Sequence, residues 1–182
     1  MKFDTNGWLS GVRRIASPNH DVRPSRTPIT LLVIHSISLP PNEFGGPGIR
    51  HLFTNKLDCS AHPYYAQLQG LRVSAHFLIG RDGSVTQFVA CGNRAWHAGV
   101  SVWQGRERCN DFSVGIELEG CDTVPFEPRQ YAVLARLTRR LQRQYPIRHI
   151  VGHAEIAPGR KTDPGPTFDW GQYFSLLGRS SA

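Results

Sequence analysis

The most strongly patterned stretch of the chain is Ile29-Thr30-Leu31-Leu32-Val33-Ile34, apolar at five of six positions and rich in branched side chains. A run without polar alternation predicts a strand covered on both faces, and His35 closes it. Residues 1–28 ahead of it read as an irregular lead-in, punctuated by Pro18, Pro24 and Pro28. Residues 39–48 (LPPNEFGGPG) predict a loop, because proline and glycine fill six of the ten positions. A short helix is expected over 49–56. Residues 73–79 and 84–89 predict two strands joined by Gly80-Arg81-Asp82-Gly83, whose Asp-Gly pair suits a tight hairpin turn. Over 113–119 (SVGIELE), Val114, Ile116 and Leu118 alternate with small or polar neighbours, which predicts a half-buried strand. Pro128 can open a helix, since its missing N–H has no partner there in any case. Tyr131, Leu134, Leu137, Leu141 and Tyr145 then recur every three or four residues, giving one apolar stripe, and Pro146 stops it. Residues 148–151 predict a strand leading into Gly152-His153. Strands before, between and after helices predict the α/β or α+β class: a single domain over 1–182, core about 28–170, with a mixed central sheet flanked by helices.

Composition narrows the classes. The longest apolar runs fall far short of the roughly 20 residues that a membrane span needs. The stretch 1–14 is polar and broken by Gly7 and Gly11, unlike a secretory signal, so a cytoplasmic protein with no membrane partner is expected. Cys59, Cys91, Cys109 and Cys121 are widely and unevenly spaced with no Cys-x-x-Cys pair, which argues against a cysteine-built zinc ribbon and for free thiols. The net charge of +7, from 21 basic and 14 acidic side chains, suits an anionic partner. The basic residues form no tract interleaved with aromatics. Arg129, Arg136, Arg139, Arg140 and Arg143 fall on the predicted helix as a solvated face, so nucleic acid is not the expected partner.

His35, His153 and Asp163 carry the candidate chemistry. Both histidines follow predicted buried strands, and Asp163 lies in the turn-rich segment 157–165. Zinc accepts two imidazoles and a carboxylate, and a fourth position left to water makes such a site catalytic. More than a hundred residues separate His35 from His153, so spacing alone leaves two readings open, a metal centre or ordinary packed histidines. His20, His51, His62 and His149 read as core or surface residues. His76 and His97, in the settings Ala75-His76-Phe77 and Trp96-His97-Ala98, suit either a cleft lining or simple packing.

His35 after LLVI, the segments VSAHF (73–77), WHAG (96–99) and NDFSVGIELEG (110–120), and GHAEIAPGRKTDPG (152–165) together resemble the N-acetylmuramyl-L-alanine amidases. More narrowly they resemble the AmpD-type 1,6-anhydro-N-acetylmuramyl-L-alanine amidases of Gram-negative cell-wall recycling. The likeness runs from about residue 7 to residue 175 and is most specific over 153–165 and in GIELEG. It implies the fold shared with phage amidases and peptidoglycan recognition proteins, with zinc in a surface cleft held by His35, His153 and Asp163. It implies Glu117 as the acidic catalytic residue and Lys161 as the catalytic lysine. Arg72 stands in the place of an arginine that holds a substrate carboxylate, with Arg106 and Arg108 as further candidates. His76 and His97, from their setting, stand as further substrate-binding candidates. Ser36 stands where the family commonly has asparagine; a shorter hydroxyl still donates, but with a different reach. The implied activity is zinc-dependent cleavage of the amide between the lactyl group of muramic acid and L-alanine, in a monomer acting on a small anhydromuropeptide. Two other readings are a non-cutting recognition module, against which the intact ligand and catalytic set argues, and an exported amidase acting on intact wall.

Overall fold

A computed structural model of the protein describes residues 2–178. In chain order the strands are β1 (Arg13–Arg14), β2 (His20–Val22), β3 (Leu31–Ile37), β4 (Phe77–Ile79), β5 (Val85–Gln87), β6 (Asn93–Ala95), β7 (Val102–Trp103), β8 (Arg106–Glu107), β9 (Ser113–Glu119) and β10 (His149–Gly152). The helices are α1 (Gly48–Phe53), α2 (Pro63–Ala66), α3 (Pro128–Gln144), α4 (His153–Ile156) and α5 (Trp170–Leu176). Six strands form the central sheet in the order β1-β5-β4-β9-β3-β10. The β4–β5 hairpin is antiparallel and every other pairing in that sheet is parallel, so the sheet is mixed, as expected. Two antiparallel pairs, β2–β6 and β7–β8, lie outside it.

Alternation along the two central strands builds the layers. Leu32 and Ile34 of β3, with Val114, Ile116 and Leu118 of β9, enter a core completed by Leu134, Leu137 and Leu141 of α3. Leu31 and Val33 belong to a different cluster, with Phe112, Val151 and Ile156. A third cluster packs α1, through Ile49, Leu52 and Phe53, against Leu78 and Phe88. The predicted stripe of α3 is thus confirmed. Gln130 anchors the helix start: its Oε1 accepts from the Glu127 N–H (3.0 Å), and its Nε2 donates to the carbonyls of Glu119 (3.0 Å) and Ile79 (3.3 Å).

Two expectations change. β9 is buried at all seven positions rather than half-buried. Its polar face is covered, because Ser113, Gly115, Glu117 and Glu119 alternate with the core residues and point to the other side of the sheet. His35 does not end β3; the strand continues to Ile37.

At the chain's far end, Phe168 packs among Phe126, Tyr131, Trp170 and Tyr173, with ring centroids 4.8–5.8 Å away. The Asp169 N–H donates to the Tyr131 hydroxyl (2.7 Å), and the Asp169 carboxylate accepts from the Gln172 N–H (2.8 Å), capping α5. Thr138 and Tyr173 join α3 to α5 through their hydroxyls (2.7 Å).

Leu134 is wholly buried in the α3–sheet layer. Leu134→Ala should cost about 2–5 kcal/mol in urea unfolding. A loss below about 1 kcal/mol would mean that α3 is not packed as described.

Candidate active site

Parallel register assembles the site. β3 and β9 pair His35 with Glu117, so both side chains leave the same face of the sheet on adjacent strands. β10 and β3 pair Gly152 with Ile34, so His153 follows β10 at the level where His35 follows Ile34. The separation of 118 positions between the two histidines in sequence vanishes in the sheet. Asp163 reaches them from the loop after α4, where its carbonyl accepts from the Ala154 N–H (2.9 Å). Gly152 permits this approach, because a Cβ there would lie 2.7 Å from Pro164 Cδ.

His35 Nδ1 stands 2.9 Å from Asp163 Oδ2 and 3.0 Å from His153 Nδ1, and His153 Nδ1 stands 3.1 Å from the same carboxylate oxygen. His35 and His153 are buried, and Asp163 is partly so. A triangle with edges of about 3 Å admits a point about 2 Å from each corner, the bond length of a divalent transition metal to imidazole and carboxylate. Protonation fits as well. Burial pushes the His35 imidazole down to about 4 despite the nearby Asp163 carboxylate. Burial would raise the Asp163 carboxyl, but its hydrogen bonds from His153 and His35 outweigh that and hold it well below the usual carboxylate range. A neutral His35 imidazole beside an ionised carboxylate is what a metal requires.

The contacts outside the triad fix its orientation. His153 Nε2 faces the Ala98 carbonyl (3.0 Å), and the Arg160 guanidinium donates to the Ala98 and Val100 carbonyls (2.7 Å each). His35 Nε2 meets His97 Nδ1 (2.9 Å), and His97 Nε2 meets the Ser113 hydroxyl (3.2 Å). The N–H groups of His97 and Ala98 both donate to the Asn110 side-chain carbonyl (3.1 and 2.8 Å).

A cleft of about 490 Å³ opens over this centre, lined by His35, Glu117, His153, Lys161 and Asp163 and also by Leu39, Phe53, Tyr64, Leu71 and Trp96. Glu117 is 8% exposed, and its Oε2 is buried without a hydrogen-bond partner. Burial, reinforced by the Asp163 charge and only partly offset by Lys161, pushes the Glu117 carboxyl well above its ordinary value. A buried, unpaired carboxyl aimed into a cleft marks a functional group, because nothing in the fold rewards its burial.

The remaining sequence candidates divide. Ser36 and His97 line the cleft. Both His97 ring nitrogens are engaged by His35 and Ser113, so neither is turned to a ligand. His76 does not reach the cleft: its Nδ1 accepts from the Gly115 N–H (3.0 Å), its Nε2 lies 3.2 Å from the Asn93 carbonyl, and the residue is fully buried. Arg72 is exposed between Leu71 and Val73, which line the cleft, without lining it itself. Arg106 stacks over Phe112 (3.9 Å) and Arg108 pairs with Asp111 (3.4 Å), both away from the cleft lining. Asn110, Arg160 and Arg23 carry structural weight that residue type alone did not signal. Arg23 donates to the carbonyls of Cys91, Asn110, Asp111 and Ser113 (2.7–3.1 Å) and so binds the lead-in to the back of the site.

Comparison with known proteins agrees with this architecture. A family model described as N-acetylmuramoyl-L-alanine amidase matches residues 25–166. The 1,6-anhydro-N-acetylmuramyl-L-alanine amidase AmpD of Escherichia coli is 56% identical over 177 residues, covering 96% of this chain and 97% of that protein. The protein of the same name from Haemophilus influenzae is 52% identical over 180 residues, covering 97% and 98%. A crystal structure of a selenomethionine derivative of AmpD superposes with a TM-score of 0.94 at 56% identity, covering 97% of this chain and 99% of that one. The complex of E. coli AmiD with anhydro-N-acetylmuramic acid-L-Ala-D-gamma-Glu-L-Lys superposes with a TM-score of 0.60 at 31% identity, covering 98% of this chain and 66% of that one. With its buried His-His-Asp cluster and its matched sheet, this chain belongs to the N-acetylmuramoyl-L-alanine amidase family and is an amide hydrolase.

Proposed function

We propose that this chain is a zinc amidase of muropeptide recycling, cutting the bond between the lactyl group of 1,6-anhydro-N-acetylmuramic acid and L-alanine. The observation that carries the reading is the convergence of His35, His153 and Asp163 within 3.1 Å of one another, on the cleft face shared with Glu117. Full-length likeness to AmpD supports the anhydro substrate.

Zinc bound by the three residues would supply Lewis acidity and a water of pKa about 7. The protein's own groups do the rest. Glu117 takes a proton from the attacking water and passes it to the departing alanine nitrogen. Its raised proton affinity suits a group that must accept and release a proton in one turnover. Lys161, at the cleft edge, offers a cation to the charge that develops on the amide oxygen, a contribution worth about 10²- to 10³-fold by analogy with oxyanion donors. Ser36 offers a hydroxyl at the rim. The net charge of +7 favours a stem peptide bearing several carboxylates. Four free cysteines, three of them buried, accord with action in the reducing cytoplasm. No helix among the described residues is long and apolar enough to cross a membrane.

Asp163→Ala should lose bound zinc and all product formation on anhydromuramyl-tripeptide, read by metal analysis and chromatography of the same sample. Full zinc occupancy in that variant would remove Asp163 from the ligand set. Glu117→Gln should keep zinc and lose about 10²- to 10⁴-fold in turnover; near-normal rates would dismiss it as the proton carrier.

The same variant tests the electrostatics. With its pKa raised by folding, Glu117 binds its proton more tightly in the native state, so the stability it allows is full at pH below about 4.3 and is lost as pH rises through the folded value. Glutamine has no such penalty. Metal-free Glu117→Gln should therefore melt above the metal-free parent at pH 7, with the gap closing as pH falls toward 4. A gap that is absent or reversed at pH 7 would mean that the carboxylate is not disfavoured where it sits.

A further inference from the structure

We infer that His97 is a positioning residue for the metal centre, setting the tautomer of His35 through the hydrogen bond between them. The inference rests on the proposed metal reading and concerns residues outside the ligand set.

The proton positions follow from the proposed metal, which needs a bare Nδ1 on both His35 and His153. His153 Nε2 lies 3.0 Å from the Ala98 carbonyl, a group that only accepts. With a metal at Nδ1, that nitrogen carries the proton and donates to the carbonyl, the Arg160 guanidinium lying farther off at 3.4 Å. For His35 also to present a bare Nδ1, its proton must sit on Nε2, and the partner there is His97 Nδ1 at 2.9 Å. His97 must then accept at Nδ1 and carry its own proton on Nε2, against the Ser113 hydroxyl at 3.2 Å. Run the other way, with His97 donating, the relay would place a proton on His35 Nδ1, in the direction of the metal. His97 thus selects between a receptive and a blocked ligand.

The fold holds His97 to this task from three sides. Asn110 accepts from the backbone N–H groups of both His97 and Ala98. One short segment therefore orients both ligand imidazoles, His35 through a side chain and His153 through a carbonyl. The His97 ring lies flat over β9 at Gly115, where a Cβ would come within 2.5 Å of the ring. The glycine in SVGIELE is the space that the ring fills. The rings of His35 and His97 meet edge to face, with centroids 5.0 Å apart.

Partners of this kind typically set metal affinity by about 10- to 100-fold. The test is zinc affinity, measured by competition with a chromophoric chelator on the parent protein, His97→Phe, His97→Gln and Gly115→Ala. Melting of each metal-free form controls for stability. The parent should bind one zinc. His97→Phe should bind it about 10- to 100-fold more weakly, and Gly115→Ala should show the same loss with both imidazoles intact. His97→Gln, whose amide oxygen can still accept from His35, should recover part of it. Nitrogen-15 spectra of the zinc-loaded parent should show His35 protonated at Nε2, an observation that stands even if His97→Phe fails to fold. Zinc binding by His97→Phe within about twofold of the parent would overturn the inference while leaving the metal centre standing, whereas a proton at His35 Nδ1 in the zinc-loaded parent would take His35 out of the ligand set and the inference with it. A parent protein that binds no zinc would overturn the metal reading and this inference with it.

Discussion

Everything at this site depends on the parallel register of three neighbouring strands. A shift of one residue between β3 and β9 would send Glu117 to the α3 core and leave His35 facing an apolar position. The register is held by the core beneath, where Leu32, Ile34, Val114 and Ile116 interlock with Leu134 and Leu141. Packing on one face of the sheet therefore specifies chemistry on the other. In a mixed sheet covered on both sides, the polar residues of the inner face have no water to turn to. They must find partners or stand ready for a ligand.

That constraint explains the division of labour among the buried polar groups. Arg23, Asn110, Ser113 and His76 are satisfied by backbone atoms, by the His97 ring and by one another, and they make the floor rigid. His35, His153 and Asp163 satisfy one another only at distances that also suit a shared cation. Glu117 keeps one oxygen with no partner at all. Polarity becomes less satisfied toward the cleft, in keeping with a site that holds its groups ready at some cost in stability.

Much of this was legible in the residues. The apolar run ending at Ile34, the stripe of α3 and the strand before His153 stood out because burial imposes a period on sequence. The His-His-Asp set was legible as a resemblance, since no local pattern joins residues 35 and 153. The alternation of SVGIELE is real, but the strand is buried on both faces. Alternation reports that two faces differ without saying that the polar one meets solvent, and here His76 and His97 lie against it. Arg106 and Arg108 drew attention by their charge, yet one stacks on Phe112 and the other pairs with Asp111. Asn110 and Arg160 passed unnoticed because their work is to satisfy backbone groups brought near by the fold, and such work leaves no periodic trace.

The loop that delivers Asp163 is a span fixed at two abutments. One is Gly152, where the absence of a side chain lets Pro164 settle against the end of β10. The other is Phe168, seated among Phe126, Tyr131, Trp170 and Tyr173. A chain cut just ahead of Phe168 would retain His35, His153 and Asp163 in its sequence and still lose the second footing. The grip of the aspartate on its two histidines is in this sense borrowed from an aromatic cluster beyond the loop, to which α5 contributes Trp170 and Tyr173.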